Sequence, residues 1–263
     1  MGEAFARAAA EGRIARIPYL TAGDPSAAST VELAAALARA GADILELGVP
    51  FSDPLADGVI NQRSAGRALR AGMNLAGVLQ VATSIRGAGE LPLMLFTYFN
   101  PILRMGVHEF AARAQDAGVD GVLVTDLPVE ESGAYREALT PRGIEPVFLV
   151  APTTRDERMR AIGEASGSFI YYVLRRGVTG ERESLPEGTA QKVRGIRQLT
   201  GKRVAVGFGV SRREQVREIE AFADGVVTGS ALMRVVEETS PGRSPREALE
   251  QRFRELMGLT AIP

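Results

Sequence analysis

The sequence predicts an α/β fold: a single (β/α)8 barrel of the TIM-barrel type, with an extra helix before the first strand. Eight short and almost continuously apolar segments occur along the chain, as is typical of parallel strands that are buried on both faces. Segments with helical amphipathic spacing separate them. The length of 263 residues also agrees with the roughly 250 residues that such a barrel needs.

Glycine, proline and polar residues end each predicted strand. The strands are predicted at 16–21, 42–47, 92–98, 121–125, 145–150, 169–174, 203–207 and 225–228. Asp24 is expected to cap the helix after the first strand, with Pro25 in its first turn. The extra helix is predicted at 1–12, where it either covers the amino-terminal opening of the barrel or lies on its outside. Since no linker-like segment divides the chain, we expect one domain spanning 1–263.

The composition argues against several classes of function. A net charge of -1 and a pI near 6.1 lack the excess positive charge that is typical of nucleic-acid-binding proteins. The absence of cysteine excludes disulfides and thiolate metal sites, and a single histidine, His108, does not support a histidine metal site or a catalytic triad. The first twenty residues lack the apolar core of a signal peptide, and no membrane span is expected. We therefore expect a cytoplasmic protein.

A carboxylate interrupts the apolar run of the second predicted strand. Glu46 lies in that strand, and the loop that follows it, 48–58, carries Asp57 near the carboxyl ends of the strands. A carboxylate inside a barrel costs several kcal/mol unless it is satisfied or has a function. Two interpretations remain open from the residues alone. Glu46 is either paired with an arginine or a backbone amide, or it is a general acid and base with Asp57 beside it.

Two glycine-bearing loops follow the seventh and eighth predicted strands, where barrels of this type commonly bind phosphate. They contain Gly209 and, before the next helix, Gly229 and Ser230. Glycines let backbone amides approach an anion closely, and the start of a helix attracts it. The alternative is that these loops are ordinary tight turns without a role in binding. The long polar loop 175–186 suits a lid over a substrate, or is simply a surface loop.

Aromatic side chains cluster at the predicted strand ends. Tyr98 and Tyr171 are the candidates for a pocket, because a buried phenol needs a hydrogen-bond partner and a planar ligand would stack beside it. His108 is expected on the surface.

Several segments, which follow one another in the same order along the chain, resemble those of one family, that of the tryptophan synthase alpha chain. The strongest is LELGVPFSDPLADG at 45–58. Others are PYLTAGDP at 18–25, TYFNPI at 97–102, GVLVTDLPVEES at 121–132, YYVLRRGVTG at 171–180, GFGVS at 207–211 and TGSAL at 228–232.

The resemblance implies a carbon–carbon lyase of tryptophan biosynthesis. It would cleave indole-3-glycerol phosphate to indole and D-glyceraldehyde 3-phosphate without a cofactor or metal. Indole would pass to a pyridoxal-phosphate beta chain within an alpha2-beta2 tetramer. The resemblance also implies site roles: catalytic Glu46 and Asp57; an indole pocket of Tyr19, Phe96, Tyr98, Leu123, Thr125, Tyr171 and Phe208; and a phosphate site of Gly180, Gly209, Gly229 and Ser230.

Other functions are less consistent with the sequence. Indole-3-glycerol phosphate synthase and Schiff-base aldolases would need a lysine at a strand's carboxyl end, but Lys192 falls in a predicted helix and Lys202 precedes a strand. A barrel kept only to activate a partner would have lost Glu46 or Asp57, and both are present. A free-standing indole-3-glycerol phosphate lyase shares the motif and remains the alternative.

Overall fold

The structure is a computed structural model that describes residues 1–174, 185–207, 209–239 and 244–259. Nine strand segments occur within them: β1 (Ala15–Thr21), β2 (Leu45–Gly48), β3 (Leu93–Thr97), β4 (Gly121–Val124), β5 (Glu145–Val147), β6 (Leu149–Val150), β7 (Phe169–Val173), β8 (Arg203–Gly207) and β9 (Gly225–Thr228). All pair in parallel, in the order β5-β4-β3-β2-β1-β9-β8-β7-β6.

The fifth predicted strand is divided into β5 and β6 at Phe148. These two segments are the ends of the hydrogen-bonded order, yet only one residue separates them in the chain. The carbonyl of Phe148 accepts a bond from Tyr171 N (3.1 Å), and the carbonyl of Pro146 accepts one from Gly167 N (2.8 Å). These bonds bring β5 and the end of the sheet together. The prediction of a (β/α)8 barrel is therefore confirmed, with its fifth strand in two pieces.

Helices follow the strands around the barrel. The α-helices of the described residues are α1 (Gly2–Ala10), α2 (Ala27–Arg39), α3 (Val59–Arg70), α4 (Leu75–Ala88), α5 (Phe99–Met105), α6 (Val107–Asp116), α7 (Gly133–Leu139), α8 (Asp156–Ala165), α9 (Thr189–Thr200), α10 (Arg213–Glu220), α11 (Ser230–Glu238) and α12 (Arg246–Met257). None of them is long and apolar enough to cross a membrane.

The first helix, α1, closes the amino-terminal end of the barrel. Phe5 is buried and packs on Phe169 with ring centroids 4.9 Å apart. The guanidinium of Arg203 lies over the Phe5 ring at 5.9 Å and donates to the carbonyl of Gly2 (3.0 Å). Phe169 and Arg203 are the first residues of β7 and β8. Of the two predicted positions, the helix thus takes the one over the opening.

Asp24 does not cap α2, contrary to the prediction. Ser26 is the capping residue, and its hydroxyl accepts a bond from Ser29 N (3.1 Å). Asp24 is only 1% exposed and instead accepts bonds from Ser64 and Arg67 on α3. A buried carboxylate needs such partners more than a helix end does, because an unpaired buried charge is costly.

Candidate active site

The carboxyl ends of the strands surround a cavity of about 620 Å³. Its wall combines strand residues, the loop after β2 and the first turns of α3 and α11. Eight residues that the sequence singles out line it: Tyr19, Glu46, Asp57, Phe96, Tyr171, Gly209, Gly229 and Ser230. The structure therefore brings together the predicted catalytic pair, three of the aromatic residues and most of the predicted phosphate loops.

Glu46 points into the barrel from β2. The strand register places it beside Tyr19 of β1 on one side and Met94 of β3 on the other. The residue is 2% exposed, and its Oε1 has no hydrogen-bond partner in the part of the chain that the structure describes. Burial, and then the negative charge of Asp57, raise the pKa of Glu46 to about 8. At neutral pH this carboxyl therefore holds a proton that it can donate.

The first interpretation of Glu46, an acid paired with an arginine or an amide, has no support among the described residues. No ion pair or backbone donor to Glu46 occurs there. The second interpretation, a titrating group within a cavity, agrees with its position and with its pKa.

Asp57 is held at the cavity by hydrogen bonds to its side chain and its backbone. Tyr98 Oη donates to Asp57 Oδ2 (2.9 Å) and accepts from the amide of Ala56 (2.9 Å). Gln62 Nε2 of α3 donates to the Asp57 carbonyl (2.8 Å). Burial raises the pKa of Asp57 to about 6, against the opposing effect of the Tyr98 hydrogen bond. At neutral pH Asp57 is therefore mostly ionised, while its neighbour Glu46 is mostly protonated.

Two tyrosines in the cavity wall lie against strand-end glycines. A Cβ added at Gly48 would stand 2.1 Å from Tyr19 Oη, and one at Gly207 would stand 2.2 Å from Tyr171 Oη. Only glycine therefore leaves room for each phenol at its present position. Burial raises the pKa of both tyrosines well above its ordinary value, so both stay neutral. They form an apolar wall, to which Phe96 adds an edge-on contact with Tyr19 (5.8 Å between centroids, 87°).

The predicted phosphate loops meet at the start of α11. Ser230 is the first residue of this nine-residue helix, Gly229 precedes it, and Gly209 has a positive φ of 91°. All three line the cavity. Two cationic side chains, Arg63 and Arg234, also line it, and neither was predicted from the sequence. Arg234 lies four residues after Ser230, on the same helix face, and that spacing is a signal that could have identified it.

Three of the predicted pocket residues are not in the cavity wall. Tyr98 lies behind Asp57, with its ring 5.0 Å from that of Phe51. Leu123 is fully buried in the barrel beside Phe96, its register partner. Thr125 is hydrogen-bonded to the carbonyl of Thr97 (3.3 Å). Gly180 and Phe208 lie outside the described residues. So do residues 175–184, which make up most of the predicted lid at 175–186.

Metal-binding side chains are not grouped at this site. Nowhere in the described ranges do three or more histidine, cysteine, aspartate or glutamate side chains come together in a way that could hold a metal ion. The two carboxyl groups, one protonated and one ionised at neutral pH, are suited to acid–base chemistry, and they line the same cavity as the start of helix α11.

Comparisons with known proteins agree with this geometry. The family model described as tryptophan synthase alpha chain matches residues 5–259. The chain is 47% identical to the tryptophan synthase alpha chain of Solibacter usitatus over 246 residues, which cover 94% of this chain and 92% of the relative. A corresponding protein from Burkholderia pseudomallei is 46% identical over 244 residues, or 92% of this chain and 90% of the relative.

Solved structures give the same result. One of them concerns mutual activation of the tryptophan synthase a2b2 complex from the hyperthermophile Pyrococcus furiosus. Its matching chain is 41% identical with a TM-score of 0.86, over 94% of this chain and 99% of that one. Because both the sequence match and the fold extend over nearly the whole length, the chain belongs to the tryptophan synthase alpha chain family.

Proposed function

We propose that this enzyme of tryptophan synthesis is a carbon–carbon lyase acting in the cytoplasm, which cleaves indole-3-glycerol phosphate to indole and D-glyceraldehyde 3-phosphate. The observation that carries the proposal is Glu46: a carboxyl group buried in the cavity, with no hydrogen-bond partner on Oε1 among the residues that the structure describes, and with a pKa raised to about 8. Such a group is suited to donate and then recover a proton near neutral pH.

The substrate would lie with its indole ring deep in the barrel and its phosphate at the rim. Tyr19, Phe96 and Tyr171 supply an apolar surface for the ring. The backbone around Gly229 and Ser230 lies at the start of α11, where the helix dipole and free amides favour a phosphate. This orientation directs the bond to be broken toward the carboxyl pair.

The first half of the reaction is proton transfer to carbon. Glu46 donates its proton to C3 of the indole ring, which leaves positive charge on the ring nitrogen N1. Asp57, mostly ionised at neutral pH, stabilises this charge. Because the charge exists only after protonation, the interaction favours the intermediate over the bound substrate and so lowers the barrier.

The second half breaks the carbon–carbon bond. The ionised Glu46 removes the proton of the C3′ hydroxyl, whose oxygen then forms the aldehyde carbonyl. The C3–C3′ bond breaks, and its electron pair restores the aromatic ring and neutralises N1. Glu46 is again protonated, so the cycle closes without an added acid, base, oxidant or cofactor.

We also propose that the chain works with a tryptophan synthase beta chain in an α2β2 tetramer. A relative of similar fold belongs to such a complex, and mutual activation is described for it. Here Leu55 and Val59 are 85% and 54% exposed beside the cavity mouth, and Leu103 on α5 is 59% exposed. Docking of a partner would bury this apolar surface and hold the Asp57 loop in place.

The test is indole formation from indole-3-glycerol phosphate by the purified chain, titrated with a purified beta chain. We expect slow cleavage by the chain alone and at least tenfold faster cleavage in the complex, an effect that needs only about 1.4 kcal/mol. No indole under either condition would overturn the lyase assignment. A rapid reaction that stays flat through the titration, with binding confirmed separately, would favour the free-standing lyase.

A further inference from the structure

Two helices that begin at the cavity are also tied together by charged side chains. α3 begins two residues after Asp57, and α11 begins at Ser230. Arg63 and Arg67 of α3 both bind Glu237 of α11. Arg67 also binds Asp24, in the loop after β1. We refer to Asp24, Arg63, Arg67 and Glu237 as the bridge network.

The bonds of the bridge network are short and mostly paired. Arg67 donates to both oxygens of Asp24 (2.9 and 2.7 Å) and to Glu237 Oε1 (2.8 Å). Arg63 donates to both oxygens of Glu237 (2.7 Å each). Two-pronged contacts of this kind fix orientation as well as distance. The hydrogen bond from Arg63, reinforced by Arg67, lowers the pKa of Glu237 to about 2, so the network stays charged at neutral pH.

The positions along each helix connect the network to the site. On α11, Ser230, Arg234 and Glu237 are spaced i, i+4 and i+7, and therefore share one face. The first two line the cavity, and the third binds α3. On α3, Gln62 lies next to Arg63, and its Nε2 donates a hydrogen bond to the carbonyl of Asp57 (2.8 Å). Charged contacts thus join α11, which carries the predicted phosphate site, to α3, and the amide of Gln62 joins α3 to Asp57.

We propose that the bridge network couples the two ends of the substrate site, so that a phosphate bound at the start of α11 restrains α3 and holds Asp57 in its working position. The proposal rests on the proposed function. Its residues are positioning residues rather than catalytic ones, because they act through Asp57. Energy from binding a remote phosphate is in this way used at the reacting bond.

The experiment separates the phosphate from the reacting part of the substrate. Cleavage of indole-3-glycerol, which lacks the phosphate, is measured with and without saturating inorganic phosphate on the purified full chain. The variant is Glu237→Ala, which removes the bridge between the helices. The matched control is Glu238→Ala, since this exposed neighbour on the same helix has the same charge but is outside the network.

We expect inorganic phosphate to accelerate cleavage by the unmodified chain and by Glu238→Ala at least tenfold. In Glu237→Ala the acceleration should fall at least fivefold, while cleavage without phosphate stays within twofold. Glu237→Gln, which keeps side-chain volume and an acceptor oxygen, should lie between the two. It also provides the test if the alanine variant does not fold.

Three results would overturn the coupling: no acceleration of the unmodified chain by phosphate, equal acceleration in Glu237→Ala, or equal losses with and without phosphate. The last would mean that the network only supports the fold. Cleavage of the complete substrate by the same unmodified preparation separates this failure from that of the proposed function. If indole-3-glycerol phosphate is cleaved normally, only the coupling is wrong.

Discussion

Replacing Glu46 by glutamine should stabilise the protein, and increasingly so as pH rises. In the unfolded chain a glutamate ionises near pH 4.5, whereas in the folded chain Glu46 keeps its proton up to about 8. Between these values the folded state binds the extra proton, so rising pH favours unfolding. The loss amounts to about 1.4 kcal/mol per pH unit, which reaches on the order of 5 kcal/mol above pH 8.

Glutamine removes this pH-dependent cost because it cannot ionise. The two proteins should therefore differ little in unfolding free energy at pH 4.5 and by several kcal/mol at pH 8. For a chain of this size that corresponds to a Tm difference of roughly 10 °C or more at the higher pH. Asp57 is present in both proteins, so the difference between them reports the ionisation of Glu46 together with its electrostatic coupling to Asp57.

Thermal unfolding followed by circular dichroism at pH 5, 6.5, 8 and 9 is a sufficient assay. Glu164→Gln, which removes an exposed carboxylate on α8, is the control and should not change with pH in this way. A Tm difference between the Glu46 variant and the unmodified chain that stays constant from pH 5 to 9 would refute the reasoning. It would mean that Glu46 ionises in the folded protein as it does in the unfolded one.

Three further substitutions test the surroundings of the carboxyl pair. Asp57→Asn should lower turnover on the order of 10²-fold with a much smaller change in substrate affinity. Single-turnover and equilibrium binding measurements check this, and a loss of affinity at normal turnover would contradict it. Tyr98→Phe removes a hydrogen bond that lowers the pKa of Asp57, so the acidic limb of the pH–rate profile should move to higher pH, and an unmoved limb would count against this role. Gly48→Ala places a Cβ 2.1 Å from Tyr19 Oη, so Tm should fall; an unchanged Tm and an undisplaced Tyr19 would contradict the steric argument.

The strands were predictable from sequence, whereas the break within the fifth strand and the short helix α5 were not. Continuous apolar runs identified every strand because parallel strands are buried on both faces. The run from Glu145 to Val150 gave no sign of the break at Phe148, which is associated with barrel closure. No prediction was made for helix α5, because Asn100 and Pro101 are typical of a turn. Proline is nevertheless tolerated in a first helical turn, where its missing N–H would have no helical partner.

The site was predictable where one loop carries the chemistry, and less so where distant segments meet. The motif around Glu46 and Asp57 predicts both carboxyl groups at one site, and both line the cavity. Asp24 was misread as a helix cap, because its partners lie some forty residues further along the chain. Tyr98 was predicted as a pocket residue whose phenol needs a partner, but the sequence did not indicate that this partner is Asp57. Such pairings depend on how helices pack, which local patterns do not record.

The most direct test of the central claim is turnover of indole-3-glycerol phosphate as a function of pH, for the unmodified chain and for Glu46→Gln side by side. The unmodified chain should release indole and glyceraldehyde 3-phosphate in equal amounts. Its rate should fall above about pH 8, where Glu46 loses its proton, and below about pH 6, where Asp57 becomes neutral. Glu46→Gln should be nearly inactive at every pH. Proton transfer by one group is typically worth about 10²–10⁴-fold in rate. A folded Glu46→Gln protein with more than roughly a tenth of the unmodified turnover would therefore contradict the role of Glu46.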